Sequence, residues 1–451
     1  MKRLRTLAAE LADGSVTSRQ LVDRCLAAID DPAGEGARAF LLVAGERAKA
    51  TADGYDAIRA RGGTLPPFAG VPVAVKDLCD IAGEVTTAGS TVLADRPPAT
   101  VDAPVVARMR AAGLIIMGRT NMTEFAYSGL GLNAHYDTPR SPWNREIGHI
   151  PGGSSSGTAV AVADGMAAVG LGTDTGGSCR IPAAFCGIVG FKPTASRVPL
   201  DGVVPLSFSL DSIGPLGRSV DCCAIVDDVF AGGSGVVGDD AIPVSRLRLG
   251  ALRDLVLDEM DDTVADAYNR ALSTLSAAGV TVIDAPFPEL GDLSYLNRQG
   301  GLATAEAYAW HRELLESRGD EYDQRVRTRI EPGRDVSAAH YIEVLEGRRR
   351  LIAAAAKRSL GLDAFVLPTV PILPPTVAGF DSGDRDHYTR QNLLCLRNTS
   401  VGNFLDGCAI SVPASAQGQP PVGLMLMAGP MADRHLLAAA RTVEGLLASR
   451  A

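Results

Sequence analysis

An α/β fold, with a sheet covered by helices on both faces, is what three features of the sequence predict. Short segments such as 71–75 and 114–117 are apolar at every position, as strands are when neither face is left to water. A helical pattern over 103–112, stopped by Gly113, stands between them, and this alternation is that of a sheet wound with helices. Glycine is plentiful, 49 of 451 residues, against a usual share of roughly 7%, which suits tight turns and close backbone contacts.

Taken in order, residues 1–65 read as helical. Thr17 and Gln20 have the spacing of a capping box, opening a helix whose apolar face is Leu21, Val22, Cys25 and Ile29. Leu41, Leu42 and Val43 suggest a short strand, and 46–61 a second helix ended by Gly62-Gly63. Residues 71–75 form the first core strand, with Lys76 at its end. The loop 83–90, rich in Gly and Thr, would lie near any site that includes Lys76. Small apolar residues over 158–169 predict a helix packed closely at the centre. Residues 231–240 are Gly-rich and acidic and read as a flexible connection. Residues 246–251 and 280–282 read as strands around a helix over 260–278. Glu306, Tyr308, Trp310 and His311 share one helix, and Tyr341, Arg348 and Arg349 a later one. Residues 379–387 read as a loop, and 436–447 as a closing amphipathic helix.

Composition excludes several functions. A hydrophobic share of 46% and a charged share of 21% describe a globular chain with ample core. The net charge is −9, and the densest basic cluster, Arg348-Arg349-Arg350, reads as a solvated helix face. A direct nucleic-acid partner is therefore not expected. The eight cysteines form no Cys-x-x-Cys pair, and reduced, buried thiols are the expectation. No histidines have metal-ligand spacing, so no metal is expected. No apolar run approaches the roughly 18 residues of a membrane span, and no leader-like apolar segment follows Met1, which points to the cytoplasm.

Chemistry concentrates in 151–193. Two turns, Gly152-Gly153-Ser154-Ser155-Ser156-Gly157 and Thr173-Asp174-Thr175-Gly176-Gly177-Ser178, bracket the run of small apolar residues. The N–H groups of Gly176, Gly177 and Ser178 could converge as an oxyanion hole, where one donor lowers a barrier by roughly 3 kcal/mol. A serine set there can attack a carbonyl, but it needs a base. None of the six histidines sits in a Ser-His-Asp setting. Lys76 is a second candidate, because burial depresses a lysine pKa and a neutral lysine accepts protons. A lysine paired with a carboxylate at a strand end would look the same in sequence. Cys179 is a rival nucleophile beside Ser178. The turns lack the Gly-Lys-Ser/Thr ending of a phosphate loop, so a nucleotide site is not expected.

Together, Lys76 in Val73-Ala74-Val75-Lys76-Asp77, Ser154 in the first turn and Ser178 in the second resemble the amidase signature family. The two serines are 24 residues apart, the family's separation. The resemblance extends through Gly118-Arg119-Thr120-Asn121, His135-Tyr136-Asp137, Phe191-Lys192-Pro193, Leu367-Pro368-Thr369 and Pro421-Val422-Gly423, nearly the whole chain. Ser156 departs from the glycine common at its position and leaves Ser154 in register.

The resemblance implies one domain over 1–451, an α/β/α sandwich around a large mixed sheet. Its signature core would span about 66–220, and a more variable, substrate-selecting region about 290–390. It implies a Ser-cisSer-Lys triad of Ser178, Ser154 and Lys76, with an acyl-enzyme on Ser178 and an oxyanion hole of Thr175, Gly176, Gly177 and Ser178. Phe125 and Tyr127 would border the substrate, 203–215 would cover it, and Tyr308 could wall it. Asp174 and Arg180 would shape the turn. No cofactor is implied; the partner is a small amide, with a homodimer or a small partner subunit left open. Two relations stay open as well. In the glutaminase component of glutamyl-tRNA(Gln) amidotransferase, an acid precedes the Asn matched by Asn403; here Leu394-Cys395-Leu396-Arg397-Asn398 has none. Arg397 suggests instead a substrate with negative charge or carbonyl oxygens, such as a ureido, carbamate, allophanate-like or biuret-like compound. A non-catalytic scaffold would have no need of the three residues together.

Overall fold

The computed structural model describes residues 1–416 and 418–448. Its strands are β1 (Phe40–Val43), β2 (Pro72–Lys76), β3 (Ile115–Thr120), β4 (Val169–Thr173), β5 (Val189–Lys192), β6 (Ile213–Gly217), β7 (Arg248–Leu252), β8 (Thr281–Ala285), β9 (Ala364–Pro368), β10 (Cys408–Pro413) and β11 (Gly423–Ala428). They join in one sheet in the order β1-β3-β2-β4-β6-β5-β10-β11-β9-β7-β8. β2 runs parallel to β3 and β4, and β7 parallel to β8 and β9. The remaining neighbours are antiparallel, so the sheet is mixed.

Alternation along β2 produces the layers. Val73 and Val75 pack with Leu4, Leu7, Val105 and Val226 on one face, while Ala74 turns to Val22, Ala48 and Val160 on the other. Every residue of β2, β3 and β4 is buried, which is why these segments lack a polar stripe. The capping box forms as the spacing predicts: the Gln20 N–H donates to the Thr17 side chain, and the Thr17 N–H donates to that of Gln20.

Two expectations are corrected. The helix read over 158–169 is Ser156–Ala163. Gly165 adopts φ +79°, and the Met166 N–H donates to the Ala161 carbonyl, closing the helix. Val169 then opens β4. Small apolar residues run through this boundary, so composition conceals it. The helix lies directly on β4 because Gly170 has no Cβ; one there would stand 2.3 Å from Thr158 Cγ2. The loop read over 379–387 also ends early, since Asp384 caps the helix Arg385–Phe404 by accepting from the N–H groups of Asp386 and His387. Among the described residues, no helix is long and apolar enough to cross a membrane.

Candidate active site

β2 and β4 are parallel neighbours, with Val75 beside Leu171. Their carboxyl ends therefore bring Lys76 and Thr173 side by side, at the edge of a sheet where ligands commonly bind. Lys76 is fully buried, and its Nζ donates to Ser154 Oγ (2.8 Å) and Thr173 Oγ1 (2.7 Å). No carboxylate pairs with it among the described residues. Asp77 takes the strand-end ion pair instead, with Arg119 Nε at 2.5 Å. Asp77 also accepts from the Gly89 N–H and the Thr87 hydroxyl, tying down the loop 83–90. Burial lowers the Lys76 pKa to about 8, although Cys179, Cys79, Asp174 and Asp211 oppose the shift.

The two serine turns are stitched together. The Gly153–Ser154 peptide is cis, the Thr123 N–H donates to the Ser154 carbonyl (3.1 Å), and the Ser155 N–H to that of Ser178 (3.3 Å). The nucleophile turn is wrapped around Asp174. The Asp174 carboxylate accepts from the N–H groups of Gly177 (2.9 Å) and Cys179 (3.1 Å), from Arg180 through Nε (3.0 Å) and Nη2 (2.8 Å), and from Asn403 Nδ2 (2.9 Å). Burial would raise its pKa, but the Arg180 charge and hydrogen bonds prevail and bring it to about 2. The Gly177 N–H is thus spent on Asp174. Those of Thr175, Gly176 and Ser178 donate to no protein acceptor among the described residues.

The segment 203–215 is fastened over this turn. Asp211 accepts from Thr175 Oγ1 (2.5 Å) and from the N–H groups of Leu206 (2.9 Å) and Ser207 (3.1 Å). Burial pushes its pKa up to about 6 against those donors. Glu306 holds the segment from the far side, accepting from the hydroxyls of Ser207, Ser209 and Tyr341.

A cavity of about 1170 Å³ opens onto Thr175, Gly176 and Ser178. Tyr127 and Arg397 line it as well. Phe125 and Tyr308, expected at the substrate, do not line it. Phe125 is buried against His311 (4.4 Å between rings), Tyr322 (5.1 Å) and Trp310 (6.2 Å). Tyr308 is half-buried against the same cluster, with its Cβ beside Gly333. Both sit where the backbone turns them inward, a matter of tertiary packing. Cys179 is buried off the cavity, its Sγ bonded to the Gly214 carbonyl (3.5 Å) and its thiol pKa raised by burial. Sequence reasoning missed Thr173 and Asp211. Thr173 borders the second turn and was within reach of the motif; Asp211 has no local signal.

A family model described as Amidase matches residues 20–437. The chain is 36% identical over 406 residues to the 2-amino-5-chloromuconic acid deaminase of Comamonas testosteroni, covering 89% of this chain and 87% of that one. It is 34% identical to the GatA-type component of the glutamyl-tRNA(Gln) amidotransferase of Anaeromyxobacter sp. (strain K), covering 98% and 95%. A crystal structure of an amidase superposes over the full length of both chains, with a TM-score of 0.87 at 29% identity. The chain belongs to the amidase family and is an amidohydrolase.

Proposed function

We propose that the protein hydrolyses the C–N bond of a small carboxamide through an acyl-enzyme on Ser178. The observation that carries this reading is a fully buried lysine with no carboxylate partner, bonded to Ser154 beside the Ser178 turn. Neutral Lys76 Nζ accepts the Ser154 hydroxyl proton, and Ser154 Oγ accepts that of Ser178 as Ser178 Oγ attacks the carbonyl carbon. The oxyanion meets the free N–H groups of Thr175, Gly176 and Ser178, while Gly177 serves through its bond to Asp174. As the tetrahedral intermediate collapses, the relay returns a proton to the leaving nitrogen and ammonia departs. Water then attacks the ester, passes one proton to the same relay, and releases the carboxylic acid with Ser178 restored.

The chain acts as one amidase domain over 1–451 in this reading, since the cavity draws walls from both the signature core (Thr175, Ser178) and the region 290–390 (Thr304, Arg329). A cytoplasmic setting suits the eight free, buried cysteines. The glutaminase reading is weaker, because no acid stands in 394–398 and Arg397 lines the cavity there.

Ammonia release over a panel of aliphatic, aromatic, amino-acid and ureido amides tests the proposal, with Lys76→Ala and Ser178→Ala as controls. Release that both substitutions abolish is expected. Release that persists in Ser178→Ala would overturn the assignment of the nucleophile.

A further inference from the structure

Arg329 is anomalous among the arginines of its helix. On Gln324–Ile330, Arg325 pairs with Asp323 (2.6 Å), and Arg327 with Asp320 and Glu331 (both 2.7 Å). Arg329 has no carboxylate within 4 Å among the described residues and makes no hydrogen bond, and its Nε is buried without a partner. It lines the cavity that opens onto Ser178. Its guanidinium lies 4.6 Å from the centre of the Tyr127 ring, and Tyr127 is itself fixed by a 2.6 Å hydrogen bond to Thr304. A cation stacked on an anchored ring holds its orientation while its N–H groups stay available.

The other cavity cations are committed elsewhere. Arg298 pairs with Glu343 (2.8 Å), and Arg390 with Glu259 (3.0 Å). Arg397 spends Nε on Asn398 Oδ1 (3.0 Å) and Nη2 on the Val256 carbonyl (3.1 Å). Two acids also reach the cavity: Asp335, beside Arg334 at 3.4 Å, and Asp386, at the start of its helix. Neither is paired with Arg329. An unpaired guanidinium in a cavity walled by Leu206, Leu210 and Leu396 lacks the anion that such surroundings make worth binding.

We propose that Arg329 is the seat for a carboxylate at the far end of the substrate, so that the protein acts on monoamides of dicarboxylic acids or similarly charged linear amides. This deepens the amide-hydrolysis reading and rests on it for the reacting end only. Arg329 takes the carboxylate as a two-pronged hydrogen-bond donor, and the amide carbon is presented to Ser178. Arg397 adds positive potential along the opposite wall without being the anchor.

The test measures binding apart from turnover. Succinate and glutarate monoamides, with butyramide and valeramide as neutral counterparts of equal length, are titrated calorimetrically into the Ser178→Ala protein. Tighter binding of the acid amides is expected. Adding Arg329→Gln weakens them about 10- to 100-fold and changes the neutral amides less than about threefold; adding Arg397→Gln has the smaller effect on the acid amides. Equal affinity for acid and neutral amides, or a loss shared alike by both, would overturn the proposal. Ammonia release from the same compounds by the unsubstituted protein reads the chemistry separately. Binding that depends on Arg329 with no ammonia release would sink the acyl-transfer reading and leave the carboxylate seat standing.

Discussion

Replacing Lys76 with methionine separates the cost of the proposed base from its use. The folded protein holds the Lys76 pKa at about 8 rather than its ordinary 10.5. At about 1.4 kcal/mol for each tenfold, keeping this ammonium buried at pH 7 costs the fold about 3 kcal/mol. The sign follows from proton counts. Between the two pKa values the unfolded chain binds more protons, so stability rises with pH there, and the penalty is fully present below about 8. Methionine, similar in volume, lifts the penalty and loses two hydrogen bonds, to Ser154 and Thr173, at about 1 kcal/mol each. The variant should therefore be inactive yet at least as stable as the parent at pH 7. Urea unfolding at pH 7 and pH 9 reads the distinctive part: the parent should gain about 1 kcal/mol relative to the variant over that step. Lys192, a second buried lysine lowered to about 8, is present in both and cancels. Parallel pH profiles, or a variant weaker by more than about 2 kcal/mol at pH 7, would refute the reasoning.

The same pKa governs rate: because Lys76 acts neutral, kcat/KM in a pH series should climb to a plateau through about 8, and a profile falling through that region would exclude it as base. Asp174→Asn should lower the thermal midpoint along with activity, since a buried partner of Arg180 is removed at about 3–5 kcal/mol. The stability that Asp174 contributes is present above pH 3.8 and disappears as pH falls toward about 2; acid unfolding curves of parent and variant should converge there. Phe125→Ala should cost about 3–5 kcal/mol in chemical denaturation with substrate preference unchanged, because Phe125 packs on His311 and Tyr322 rather than lining the cavity. A shift in substrate range with stability intact would return it to the site.

Where local chemistry governs an outcome, the chain could be read directly. The Thr17–Gln20 box needs only residues three apart, and the buried strands β2 and β3 betray themselves by lacking a polar face. Lys76, Ser154 and Ser178 stood out because glycine-serine turns and a lysine closing an apolar strand are unusual in themselves. The end of the helix Ser156–Ala163 did not, since Gly165 lies within a run of equally small residues and its left-handed turn leaves no compositional trace.

What the sequence determined alone is the set of chemical groups and the local geometry that carries them. Tertiary structure decided which of those groups are free. The Gly177 N–H is withdrawn from the oxyanion hole by an Asp174 carboxylate fixed in turn by Arg180 and Asn403. Phe125 is folded into an aromatic cluster, while Tyr127, two residues on, faces the cavity beneath Arg329. The physical reason is that a hydrogen-bonding or charged group is defined by its partners. Partners more than 100 residues away, such as Asn403 for Asp174 or Arg329 for Tyr127, are assigned only when the sheet closes and brings them within a few ångströms.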